Sequence, residues 1–503
     1  MNDLLLISPI LLPLLLLIGC LASSRHERRS SVISLVGTAV LLAACSVLLF
    51  KVSTHGTLTL AVGGWMPPFG IVLVADLLSV LMLWISALVG LVVLIYGINV
   101  GSAGTRPGHV YVLIQGLLLG VNGSFLTGDL FNLYVWFEVM LISSFILMVR
   151  ERRKKQLAGG LTYVILNLLA SAMFLCGAGM LYGKLGTLNL ADMAVKLSSV
   201  GDPEFVNTTG ALLFVAFAAK AGLFPFHFWL PASYHHAGPA TSALFAGLLT
   251  KVGVYALLRI FTLVFTAENG FSSTLILYLS MATMLIGVLG AVAQYNVRRL
   301  LAFHIISQIG YMTAGLALGT HLALTAVVFY ILHHIAVKST LFLVGGVLEM
   351  KTGTADIRRH GGFYQSQPLL AFCFLVPAFS LGGIPPLSGF WAKLNLLQAG
   401  VQSGEWLFLA MALGVGILTL FSMVKIWNES FWKAQPSTSD GQPNTSDLPL
   451  ARGKPYLAML LLCALTLVFS LGGYFVFELS ARAAANLADP TLYINAVMKG
   501  VTP

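Results

Sequence analysis

Charge is what this sequence has least of. Only 9% of its 503 residues are Asp, Glu, Lys or Arg, and 58% are hydrophobic, whereas ordinary globular chains are about 25% charged. That balance excludes a soluble enzyme and a disordered protein. Cysteine is scarce as well. Cys20, Cys45, Cys176, Cys373 and Cys463 lie far apart in apolar runs and form no C-x-x-C pair, which argues against a metal centre or an Fe–S cluster. There is no G-x-G-x-x-G and no phosphate-binding loop after a strand, so no nucleotide or redox cofactor is expected. The net charge of +10 does not point to nucleic acid, because Lys and Arg fall in short gaps rather than on one soluble face.

What the sequence has is apolar length. Fourteen windows, from 4–22 to 455–479, are long and apolar enough for a spanning helix of roughly 20 residues. The reading is an all-α polytopic membrane protein of about 14 transmembrane helices. The window 367–399 is too long for one straight helix and contains Pro377, Pro385 and Pro386, so it is expected to be broken. With the N-terminus outside, 18 Lys and Arg fall in cytoplasmic gaps, among them Arg25, Arg28, Arg29, Arg106, Arg152, Arg298 and Arg452. Six fall in outer gaps and ends, Arg259 among them. This bias predicts both termini outside. The first window is not read as a signal peptide, although Leu17-Ile18-Gly19-Cys20 resembles a lipoprotein cleavage box. Asp3 precedes that window and Arg25, Arg28 and Arg29 follow it, the reverse of a signal's charge order.

Two segments interrupt their windows in similar ways. One runs Lys220-Ala-Gly-Leu-Phe-Pro225-Phe-His227-Phe-Trp229-Leu-Pro231, the other Ser380-Leu-Gly-Gly-Ile-Pro385-Pro386-Leu-Ser388-Gly-Phe-Trp391-Ala-Lys393. Aligning Pro225 with Pro385 sets them 160 residues apart, with Gly222 opposite Gly382. Proline inside a helix removes a hydrogen bond and clashes with the preceding turn. The offset equals five spans, an odd number, so the two copies have opposite topology. Paired broken helices in an inverted repeat are a transporter signature, and unrelated kinks are the bland alternative.

Lys220, Lys251, Lys338 and Lys393 lie deep inside windows, as do the carboxylates Glu138 and Asp76. An ionisable group at mid-membrane is costly and points to function by default. A register-fixing ion pair is the bland reading for Glu138, snorkelling to an interface for Lys393, and helix satisfaction for Asp76. His334 and Lys338 are four residues apart and share a helix face, while His333 points elsewhere. A buried ammonium tends to release its proton, and an approaching carboxylate holds it in place. If Glu138 approaches Lys220, the lysine keeps its proton, and withdrawal releases it. A row of Lys and His with one modulating Glu is thus a proton wire with a switch. His334 extends it, since an imidazole titrates near operating pH. The same row suits sodium poorly, because hard cations want several oxygen ligands. His227, His235 and His236 flank the first break without a nearby Cys, so they read as water-accessible residues at a proton entrance rather than as a zinc site.

Lys220 to Pro231, followed by Ala243-Leu-Phe-Ala-Gly247-Leu-Leu-Thr250-Lys251-Val-Gly253-Val-Tyr255, resembles the antiporter-like subunits of the complex I superfamily. More narrowly it looks like the D-type subunit of the Mrp-type (multiple resistance and pH) multisubunit Na⁺/H⁺ antiporters, over nearly the whole chain. The resemblance implies two inverted five-helix repeats, spans 4–8 and 9–13, with spans 7 and 12 broken. The implied organisation is 1–108 for the first three spans, 109–265 and 272–430 for the two repeats, 431–454 for a cytoplasmic loop, and 455–503 for the last span and tail. It also implies the site: Glu138, Lys220, Lys251, His334, Lys338 and Lys393. Lys393 departs from one complex I pump subunit, which carries glutamate there. About 24 residues follow the last window, which fits neither the long lateral helix of the largest complex I pump subunit nor the C-terminal extension of the antiporters' A-type subunit. The implied partners are other antiporter subunits, including the larger A-type subunit and small hydrophobic ones, in a bacterial inner membrane, with H⁺ carried directly and Na⁺ or K⁺ indirectly. The pattern alone leaves open a proton-pumping subunit of a redox complex, and less well a stand-alone solute transporter or a scaffold.

Overall fold

In hydrocarbon, a backbone N–H or C=O finds no water, so apolar runs of this length close their hydrogen bonds as helices. The computed structural model describes residues 2–97, 108–150, 153–266, 272–434 and 454–499. Most of the loop expected at 431–454 lies outside the described residues, as do Arg106, Arg152 and Arg452. The chain opens with α1 (Asn2–Ala22) and α2 (Glu27–His55), then a hairpin of β1 (Leu58–Ala61) and β2 (Val72–Ala75). Next come α3 (Leu77–Tyr96), α4 (His109–Leu126), α5 (Leu130–Val149), α6 (Lys154–Leu185) and the short α7 (Leu190–Ser198). They are followed by α8 (Pro203–Ala221), α9 (Trp229–Ser233), α10 (Pro239–Leu263), α11 (Ser273–Val292), α12 (Val297–Leu318) and α13 (His321–Thr352). The remainder is α14 (Phe363–Ser366), α15 (Pro368–Gly382), α16 (Ser388–Gln402), α17 (Trp406–Ile426), α18 (Lys454–Leu471), α19 (Gly473–Ala488) and α20 (Pro490–Met498).

Among the described residues, twelve helices are long and apolar enough to cross a bilayer, or thirteen if the bent pair α18–α19 is one span. With the span expected to be broken at 367–399, that makes fourteen. Window 367–399 is split into α15 and α16, each too short to cross alone. The last window also breaks, with an 80° bend after Leu471 that the sequence reading missed. Window 71–98 begins too early, because Val72–Ala75 pairs with Leu58–Ala61 as a strand before α3 starts.

Composition decides which helices face lipid. The apolar windows of α10 and α13 are wholly buried, whereas those of α1 and α2 are mostly exposed. α10 carries Thr250, Lys251, Tyr255 and Arg259, and α13 carries His333, His334, Lys338, Ser339 and Thr340. Those side chains need partners that lipid tails cannot offer, so their helices sit at the centre.

Proline well inside a helix leaves a carbonyl one turn back without its donor, and at Pro9, Pro13 and Pro377 a side chain supplies one. The carbonyl freed by Pro9, that of Leu5, takes the Ser8 hydroxyl at 2.7 Å. The one freed by Pro13 takes Asn122 Nδ2 from α4 at 2.9 Å. The one freed by Pro377 takes the Cys463 thiol from α18 at 3.6 Å.

The two expected breaks are present and built alike. α8 ends where Gly222 turns left-handed (φ 86°), and the amides of Gly222 and Leu223 both donate to Ala218 O at 2.9 Å. α15 ends where Gly383 does the same (φ 89°), and the amides of Gly383 and Ile384 both donate to Phe379 O at 3.1 Å. The proline alignment is therefore corrected by one residue. Gly222 corresponds to Gly383 and Pro225 to Pro386, because the helix cap, not the first proline, fixes the register.

Candidate functional site

Five of the six sequence-derived residues lie in the protein interior. Exposure is 0% for Lys251, His334 and Lys338, 4% for Lys220 and 8% for Lys393. Glu138, on α5, is half-buried. Among the described residues none of the four lysines has a carboxylate within ion-pair distance.

Glu138 and Lys220 meet through a third group that the sequence reading missed. The Ser171 hydroxyl of α6 donates to Glu138 Oε1 and accepts from Lys220 Nζ at 2.9 Å. One hydroxyl can do both, since it has one proton and two lone pairs. The Lys220 ammonium also stands 4.8 Å from the centre of the Phe137 ring, within cation–π range. Ser171 had no sequence signal, being a neutral residue in an apolar span.

Lys251 curls back along α10, and its ammonium donates to Ala246 O. His334, across on α13, has no hydrogen-bond partner at either ring nitrogen among the described residues. Lys338 donates to Leu301 O of α12 at 3.3 Å. Lys393 does not snorkel. Its ammonium turns back to the carbonyls of Leu381 and Gly382, at 2.8 and 3.3 Å, and lies 5.4 Å from the Tyr311 ring centre. With the corrected register, Leu381 is the counterpart of Lys220. The two lysines therefore come from opposite sides of their breaks: Lys220 belongs to the last turn before the first break, and Lys393 reaches back across the second to the carbonyls of the corresponding turn. His333 is a bonding residue of the second break: Nδ1 is 2.8 Å from Ser388 Oγ, which lies 3.0 Å from Ser380 Oγ.

Asp76 stands apart from the row. It caps α3, accepting from Ser79 N at 2.9 Å, and pairs with Arg259 at 2.6 Å, both side chains almost wholly buried. Tyr255 and Tyr493 flank the guanidinium at 5.4 and 5.0 Å. Arg259 is thus no outer-gap residue, contrary to the charge count. It is a buried partner that clamps the hairpin, α10 and α20 together. Arg298 likewise pairs with Glu349 at 2.7 Å rather than lying free in a gap.

Beside the first break, His235 and His236 line an open cavity of about 350 Å³ together with Arg153, Lys154, Lys155 and Arg298. Among the described residues, no three His, Cys, Asp or Glu side chains converge as metal ligands would.

Comparison with known proteins gives a consistent result. Residues 127–419 match the family described as NADH:quinone oxidoreductase/Mrp antiporter, TM. The D subunit of the Na(+)/H(+) antiporter of Alkalihalophilus pseudofirmus is 44% identical over 99% of this chain and 100% of its own length. That of Bacillus subtilis is 38% identical over 98% of this chain and 99% of its own. Among solved structures, a chain of the Mrp complex from Dietzia sp. DQ12-45-1b superposes with a TM-score of 0.90 at 35% identity, covering 99% of each chain. A chain of an archaeal membrane-bound sulfane sulfur reductase shares the fold, with a TM-score of 0.87 at 24% identity over 98% of this chain and 99% of that one.

Proposed function

The chain belongs to the NADH:quinone oxidoreductase/Mrp antiporter transmembrane family, and from that premise we propose that it is the proton-translocating subunit of a multisubunit Na⁺(K⁺)/H⁺ antiporter. The observation that carries the reading is the row of four buried lysines, none with a paired carboxylate among the described residues. A charged group at the centre of a spanning helix costs about 2.5–3.5 kcal/mol on insertion scales. Four of them in one interior, sharing one half-buried glutamate, suit proton transfer far better than packing.

In this reading Glu138 and Lys220 form the switch, with Ser171 as the bridge between them. When the Glu138 carboxylate is charged and engaged, Lys220 holds its proton. When Glu138 is neutralised or withdrawn, the desolvated ammonium releases it. Lys251 relays the proton to His334, whose two unpartnered nitrogens let it accept at one and donate at the other. Lys338 continues the row, and Lys393, held at the second break, gates the other side. His235 and His236 stand at the entrance beside the first break. The like construction of the two breaks supports reading 109–265 and 272–430 as inverted repeats. Proton entry driven by the membrane potential supplies about 2.3 kcal/mol per charge per 100 mV. Sodium is carried elsewhere, since ammonium groups repel it. The partners are the other antiporter subunits, including the larger A-type subunit and small hydrophobic ones, in the inner membrane of a bacterium.

The test is sodium-induced collapse of the pH gradient in everted vesicles from an antiporter-deficient bacterium expressing the whole complex. Lys220→Ala and Lys251→Ala should each abolish the response while the complex still assembles. Full exchange in either variant would sink the assignment. No sodium response from an assembled wild-type complex would favour a redox-driven pump.

A further inference from the structure

His304 belongs to none of the roles above, yet it is wholly buried. It sits two turns into α12, close to the end of the bundle that carries Arg298 and Arg299. Its Nε2 is hydrogen-bonded to Ser422 Oγ on α17. The Ser422 hydroxyl donates its own proton to Thr419 O at 2.9 Å. That leaves only a lone pair for the ring, so Nε2 carries the imidazole hydrogen. Nδ1 is then the bare nitrogen, and it has no hydrogen-bond partner among the described residues.

The surroundings of the ring connect two regions. On the interior side, the Lys338 ammonium reaches the Leu301 carbonyl at 3.3 Å, on the α12 turn that holds His304. On the other side, Lys425 lies one turn beyond Ser422 on α17. Its ammonium donates to Val292 O and Gln294 O, both at 2.7 Å, at the α11–α12 turn. Directly after Ile426, α17 passes into a π-helical turn, Trp427–Trp432, a distortion that often marks functional positions.

We propose that His304 is a proton-carrying residue that joins Lys338 to the α11–α12 end of the bundle through Ser422 and Lys425. The second half of the chain then has its own proton connection to that side, apart from the entrance at His235 and His236. The transfer balances. Nδ1 takes a proton released by Lys338, and the Nε2 hydrogen passes to Ser422 Oγ. Lys425 first passes a proton out at the α11–α12 turn and becomes a neutral amine; the Ser422 hydroxyl then turns from Thr419 O and gives its hydrogen to that amine. Reversal of the ring and hydroxyl orientations resets the path. The inference rests on the transport reading above and adds a route to it.

The experiment separates a proton carrier from a mere hydrogen bond between α12 and α17. In the intact complex, His304→Gln keeps a donor for Ser422 but cannot titrate, whereas His304→Lys can. Sodium-induced gradient collapse should fall at least about tenfold in His304→Gln, a lower bound on the roughly 10²–10⁴-fold that a proton-transfer group contributes. His304→Lys should recover part of it with a displaced pH optimum. More than half of wild-type exchange in an assembled His304→Gln complex overturns the proposal. If His304→Gln does not assemble, Ser422→Ala decides: a loss of about tenfold or more supports the route, and any smaller loss overturns it. Lys251→Ala, measured alongside, separates the two readings. Full exchange there overturns the transport assignment itself, whereas loss there with full exchange in His304→Gln overturns only the His304 route.

Discussion

At the scale of single residues, Ser171 is the most informative side chain in the molecule. It lies on α6, between a carboxylate on α5 and an ammonium on α8, and bonds both. If that hydroxyl transmits the state of Glu138 to Lys220, Ser171→Ala should cut sodium-induced gradient collapse by about tenfold, while Ser171→Thr, which keeps the hydroxyl, retains most of it. Equal exchange in all three proteins would mean that Glu138 acts on Lys220 without the bridge. The charged members of the row were legible in the sequence because an ionisable residue in an apolar window announces its cost. Ser171 was not legible, because a hydroxyl in a helix can satisfy itself on a neighbouring carbonyl and costs little. His304 falls between these cases: a histidine inside an apolar window was a signal that sequence reasoning passed over.

At the scale of elements, two glycines set how closely the broken helices approach their neighbours. A Cβ on Gly253, two residues after Lys251, would come within 2.6 Å of the Ala221 amide nitrogen at the end of α8. A Cβ on Gly389 would run into the Ser380 carbonyl oxygen, across the second break. Both collisions are with backbone, which cannot rotate away. Gly253→Ala should destabilise the protein by about 1–3 kcal/mol, the usual range for overpacking, and should lower exchange by moving α8 relative to α10. Gly389→Ala should do more harm, because it also displaces the Ser380, Ser388 and His333 cluster. Thermal unfolding of the purified complex reads the stability and vesicle assays read the exchange. Gly179→Ala on α6 is the control: nothing lies within 4 Å of its Cβ position, and alanine is the better helix former. A loss there equal to that at Gly253 would refute the packing argument.

At the scale of the whole molecule, the buried Asp76–Arg259 pair ties the hairpin, α10 and α20 into one unit at the end remote from the basic cavity. Removing one partner strands the other as a buried charge, which costs about 3–5 kcal/mol. Arg259→Ala should therefore lower the unfolding temperature markedly, and Asp76→Asn with Arg259→Met should recover much of it, as read by thermal unfolding of the complex. An unchanged temperature in the single variant would show that the pair carries no net stability. Of the whole, the sequence by itself determined what depends on local composition. The spans follow from apolar length, the two main breaks from glycine and proline, and the lysine row from charge in apolar windows. Only the tertiary structure decided what depends on which helices touch. It brought Ser171 between Glu138 and Lys220, withdrew Arg259 from solvent to meet Asp76, corrected the register of the two breaks, and bent the chain after Leu471. The physical reason is that the cost of burying a group is a property of that group and its window. Its partner is a property of packing between helices far apart in the chain, which no window contains.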